Sequence, residues 1–134
     1  MQQENMSAEQ IRAVVDQAPD AMIYADRDGT ICIWNRAAES LFGYSAAEVM
    51  GGSLDVIIPE RFRAAHSAGF SKAVGSGETK YKNRVMTTRS VHKDGRRLYV
   101  DLTFGLVKDQ GGSVIGVLAI GRDVTEARSK AAGS

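Results

Sequence analysis

A histidine at position 66 sits where a purely structural helix would carry an apolar residue. The run PERFRAAHSAGFSKAVGSG, from Pro59 to Gly77, opens on a proline suited to a first helical turn and closes on Gly75-Ser76-Gly77. Within it Phe62, Ala65, Gly69, Phe70 and Ala73 recur at helical spacing and define one expected buried stripe. His66 falls in the middle of that stripe, beside small residues that leave room before its ring. An imidazole facing an apolar cavity needs a partner, because an unpaired buried polar group is costly. The iron of a haem is one such partner and a backbone carbonyl is another. The second histidine, His92, adjoins a Lys-Asp-Gly turn, where an exposed loop side chain needs no function.

The elements that must position His66 follow from capping and turn signals. Ser7 caps a short amphipathic helix over residues 8–17 that carries Ile11, Val14 and Val15, and Pro19 closes it. Met22–Asp26 and Thr30–Trp34 are short apolar runs joined by Arg27-Asp28-Gly29, a hairpin signal. Asn35 can cap a helix through Phe42 that ends at Gly43, and Ser45 with Glu48 forms a capping box for another. Residues 53–58 fit either a helical turn or an extended link. Three strand-like runs follow the helix of His66: Tyr81–Val91, Arg97–Val107 and Val114–Arg122. From Asp123 the pattern turns helical. The expectation is an α+β domain with helices on one face of a five-stranded antiparallel sheet.

Composition bounds the function. The chain has 134 residues, with 17 Lys and Arg against 16 Asp and Glu, and no long block of one sign. One domain is expected, with neither a nucleic-acid surface nor a membrane surface. The single cysteine, Cys32, excludes an internal disulfide framework; the polar amino terminus lacks signal-peptide character, and no apolar run is long enough to span a bilayer, so a cytoplasmic protein is expected. No GxxxxGK[ST], HExxH, CxxC or GxSxG motif is present, so no catalytic site is expected.

The segments DRDG (Asp26–Gly29), WNRAAESLFGYSAAEVMG (Trp34–Gly51), KDG (Lys93–Gly95) and GRDVTE (Gly121–Glu126) occur in an order and spacing that resembles the PAS domains. The resemblance covers roughly Ser7 to Arg128. It implies a sheet order of 2-1-5-4-3, a pocket between the sheet and the long helix, a PAS domain over residues 19–122 behind a flanking helix at 1–18, and a signalling helix starting at 123–134. It also implies a salt bridge between Glu39 and Lys93.

Within the family, the long helix is similar to that of the haem-binding PAS domains, the oxygen-sensing histidine kinases and the haem-regulated phosphodiesterases. There a histidine in the pattern Arg-x-x-His is the proximal ligand, and Arg63-Ala-Ala-His66 matches it. The resemblance implies a b-type haem on His66, with Phe70, Tyr81, Leu102 and Phe104 lining its pocket and Lys72 and Lys80 near its propionates. In the kinases an oxygen-stabilising arginine occupies the register of Met86. In the phosphodiesterases an iron-coordinating methionine occupies the register of Arg84, so this chain carries both residue types exchanged. Placed two apart on one expected strand, either could serve: Met86 as a second iron ligand, or Arg84 as a donor to bound gas.

Three functions follow as expectations. The first is a haem sensor of a diatomic gas or of redox state, acting as a homodimer on an output domain or partner the sequence does not identify. The second is a cofactor-free module for dimerisation and protein docking. The third is a pocket for another small ligand such as a fatty acid or a flavin. Cys32 lies in a strand, away from the helix that carries the photoreactive cysteine of flavin-binding relatives.

Overall fold

The computed structural model describes residues 5–79 and 84–128. The chain opens with α1 (Ala8–Asp16), whose N-terminus is closed by a reciprocal capping box between Ser7 and Gln10. β1 (Ala21–Asp26) and β2 (Ile31–Trp34) form a hairpin whose turn places Gly29 at φ 81°, a left-handed conformation that favours glycine. Two short helices follow, α2 (Arg36–Phe42), ended by left-handed Gly43, and α3 (Ala46–Val49), opened by the Ser45–Glu48 capping box. Residues Leu54–Ile57 resolve the ambiguity of that segment as a 3₁₀ helix. A second 3₁₀ turn, Glu60–Phe62, leads into α4 (Arg63–Ser76). β3 (Met86–Val91), β4 (Arg97–Lys108) and β5 (Val114–Asp123) complete an antiparallel sheet in the order β2-β1-β5-β4-β3. Residues 125–128 turn helical after Asp123, whose carboxylate accepts from the Thr125 N–H.

Three local expectations are corrected. Pro59 does not start the long helix: its ψ of 137° is extended, and the helix begins at Arg63 once the 3₁₀ turn has reversed the chain. The expected strand from Tyr81 has its described start at Met86, with Arg84 and Val85 outside it; Lys80 and Tyr81 lie outside the described residues. The Glu39–Lys93 salt bridge is replaced. Glu39 accepts from the Ala46 N–H at 2.7 Å, which leaves Lys93 to pair with Glu48 at 2.6 Å. Lys93 is fixed there by its own N–H, which donates to the Phe42 carbonyl.

The register defines two sheet faces. Ala21, Ile23, Leu98 and Val100 point inward with Trp34, Leu41, Phe42, Val49 and Ile57 into the core. Trp34 and Phe42 meet as tilted rings 5.4 Å apart, and the Trp34 indole donates to the Tyr44 carbonyl. At the corner between β2 and α2, Asn35 is 1% exposed and uses its whole amide. Its Oδ1 accepts from the Met22 and Ala38 N–H groups, and its Nδ2 donates to the Val15 and Asp20 carbonyls.

Asn35→Ala therefore removes a helix cap and leaves buried backbone groups unpaired. The expected loss is ~3 kcal/mol of unfolding free energy by urea denaturation. Asn35→Asp keeps both acceptor bonds but aims a carboxylate at two carbonyls, and is expected to be destabilised as well.

Candidate functional site

The tightly packed core stops partway across the inner sheet face. Met86 pairs with Leu102, Leu102 with Gly121, and Phe104 with Ala119, so these residues continue the face of Leu98 and Val100. β5 is the central strand, where burial should be deepest. Yet Val117 and Ala119 on its inner side are only half-buried, as are Met86, Leu102, Phe104 and Leu106 around them. This part of the sheet is an apolar wall of half-buried side chains, with Leu102 at its border with the core.

α4 packs beside β5 and ends at left-handed Gly77 (φ 73°), near the Val114 side chain. None of its residues is fully buried. The expected stripe through Phe62, Ala65 and Gly69 is corrected: these three are exposed, and the half-buried face is His66, Phe70, Ala73 and Val74. Composition explains this: with Ala, Gly and Ser along most of its length, α4 has few large side chains to drive close packing. His66 and Phe70 sit one turn apart with ring centroids 6.3 Å apart.

Burial pushes the His66 imidazole below its ordinary value of 6.5, against an opposing pull from the Asp55 carboxylate. The ring is thus neutral at physiological pH, the state in which it can donate a lone pair to a metal. It makes no hydrogen bond among the described residues. Among those residues no group of three or more His, Cys, Asp or Glu could hold a bare ion. An iron already held by a porphyrin needs only one protein ligand.

The other candidates divide between the two walls and the rim. Phe70 accompanies His66 on α4; Met86, Leu102 and Phe104 lie on the sheet wall; Lys72 and Arg84 are exposed. Because Arg84 precedes β3, the strand alternation that would have put it on Met86's face does not reach it. His92 is spoken for: its Nδ1 accepts from the Asp94 N–H and its ring fills the space in front of Gly43. Cys32 is exposed on β2. The sequence offered no signal for the half-filled sheet, which only the register reveals.

Comparison with known proteins agrees with the fold. The family model described as "PAS fold" matches residues 9–124. The chain is similar to the sensor protein FixL of Bradyrhizobium diazoefficiens, at 28% identity over 75% of this chain and 20% of that protein. It is similar to the oxygen sensor protein DosP of Escherichia coli, at 26% identity over 77% of this chain and 13% of that protein. The chain therefore spans a fifth or less of the length of these relatives. The crystal structure of a PAS domain from Colwellia psychrerythraea superposes with a TM-score of 0.74 at 24% identity, covering 88% of this chain and 97% of that one. An RNA-binding light-oxygen-voltage receptor gives a TM-score of 0.70 at 22% identity, over 95% of this chain and 37% of that one. No helix among the described residues is long and apolar enough to cross a membrane.

The depressed imidazole has a consequence for stability. Above the unfolded value of 6.5, His66 is neutral in both states and contributes no pH dependence. As pH falls through 6.5 the unfolded chain takes up the proton first, so stability drops until the folded imidazole is also protonated. His66→Gln is expected to flatten that part of the stability profile between pH 7.5 and 5.5, measured by denaturant titration without added ligand.

Proposed function

We propose, for a chain that belongs to the PAS family and is therefore a sensory domain of signal transduction, that His66 holds a b-type haem whose iron takes a diatomic gas or changes redox state. The observation that carries this reading is a neutral, half-buried imidazole without a hydrogen-bond partner among the described residues, on a loosely packed helix beside a half-buried apolar wall. The residues fit the group: one imidazole for the iron, and Phe70, Leu102 and Phe104 as apolar surface for a porphyrin. The similarity to an oxygen sensor protein points the same way. Cys32, exposed on β2, gives no support to a flavin–cysteine adduct, so haem is preferred over flavin.

Within this reading His66 binds and Met86 competes. Met86 is neutral, flexible and a competent thioether ligand on the sheet wall, whereas Arg84 is exposed at the rim, where a propionate could pair with it. A bound haem would supply the gas-binding iron. The chain supplies the response, because β3 pairs with β4, β4 with β5, and β5 runs directly into Asp123 and the helical turn at 125–128.

Reconstitution with haemin is expected to give a Soret band that His66→Ala abolishes or strongly weakens. Met86→Ala is expected to convert a six-coordinate ferrous spectrum to a five-coordinate one and to raise carbon monoxide affinity. A wild-type ferrous protein that is already five-coordinate would remove Met86 as a ligand.

We further propose that the module acts as a homodimer through α1. Ile11 is 52% and Val14 61% exposed there, more apolar surface than this domain covers by itself. Val14→Glu is expected to shift the protein to monomer in light scattering; a monomeric wild type at high concentration would refute the proposal.

A further inference from the structure

A cleft of about 780 Å³ opens at the sheet edge formed by β3, separate from the wall beside α4. Its rim is set by the 3₁₀ turn that carries Glu60 and Arg61, and by Arg89, Ser90 and Arg97 on the two last strands of that edge. Three guanidinium groups thus surround one cavity, against one carboxylate. None of the three makes an ion pair among the described residues, although five other ion pairs are formed there. Arg61 lies over the Phe62 ring at 4.7 Å and Arg89 beside the Tyr99 ring at 5.9 Å, contacts that steady each guanidinium and leave its N–H donors free.

The second observation is independent of charge. The Nε of Arg89 is buried and has no hydrogen-bond partner, the one such side-chain atom among the described residues. Buried donors are nearly always satisfied, so this orphan marks Arg89, a residue that lines the cleft, as a guanidinium for which the described residues supply no acceptor. The two terminal amino groups of a guanidinium also present a parallel pair of N–H donors, which matches two oxygens of a carboxylate or a phosphate.

We propose that this edge cleft is a binding site for an oxyanion, the phosphate or carboxylate group of a small ligand, held in bidentate fashion by Arg89 and neutralised by Arg61 and Arg97. The volume exceeds that of a bare ion and suits a small organic phosphate or carboxylic acid. Nothing in this site depends on haem, and its ligand acts on the opposite flank of β4 from β5.

The test is calorimetric titration of the cofactor-free chain with inorganic phosphate and with succinate, at constant ionic strength in chloride. Saturable binding of either, weakened about tenfold or more by Arg89→Gln and also weakened by Arg97→Gln, supports the site. Arg89→Lys separates geometry from charge: it keeps the positive charge but lacks the paired donors, and is expected to bind nearly as poorly as Arg89→Gln. Phosphate alone binding assigns a phosphate ligand, and succinate alone a carboxylate. Because Arg97 is exposed, its variant keeps the test open if Arg89→Gln does not fold. No heat above the chloride background, or unchanged affinity in the variants, overturns the proposal. The Soret band of the haemin-treated Arg97→Gln protein, expected to match wild type, keeps this outcome apart from that of the haem site.

Discussion

One asparagine holds the helical layer to the sheet. Asn35 stands at the corner where β2 becomes α2, and its amide joins four backbone groups from α1, the link before β1, β1 itself and α2. No other residue type of that size offers two acceptor positions and two donors from one planar group. With the corner fixed, Trp34 and Phe42 meet inside and the Phe42 carbonyl is aimed at the Lys93 N–H. That last bond ties the α2 end to the turn between β3 and β4. The same turn receives the Lys93–Glu48 pair; with that bond and the Ser45 N–H, it holds the Glu48 carboxyl down at about 2.

The firmness of this half makes the looseness of the other meaningful. Core residues crowd beneath α2, α3 and the first 3₁₀ helix, while the sheet beside α4 keeps its apolar side chains half-buried. A domain of this size has few such side chains to spare. Leaving Val117, Leu102 and Phe104 incompletely covered forfeits burial that a bulkier helix would have supplied, and α4 is instead built from Ala, Gly and Ser around one imidazole. In the reading proposed above, a ligand that fills the loosely packed half would change the packing against β5. β5 runs to Asp123 without any intervening loop and would carry that change there.

Most of the fold was legible in the sequence because its signals are local. Ser7, Asn35 and Ser45 each cap the helix they precede, Gly43 and Gly77 each end one, and Asp28-Gly29 turns the first hairpin. The order of the strands came from the resemblance to the PAS domains, since pairing between distant strands has no local cue. Departures arose where tertiary partners compete. Glu39 satisfies the first turn of α3 rather than Lys93, and Pro59 lies in an extended step before a 3₁₀ turn. Helical periodicity put His66 on a buried stripe, yet the exposed Phe62, Ala65 and Gly69 show that α4 is not pressed onto the sheet. The arginine cleft was illegible, because Arg61, Arg89 and Arg97 are scattered in sequence and only the packing of the 3₁₀ turn along β3 assembles them.

The central claim is that the His66 imidazole is the group that holds iron. It is tested most directly by removing only the ring and returning it in solution. His66→Gly, reconstituted with haemin, is expected to lose the wild-type Soret spectrum, and added imidazole is expected to restore it. Retention of the wild-type spectrum by His66→Gly without imidazole, or no specific haem spectrum in the wild-type chain, would contradict the account.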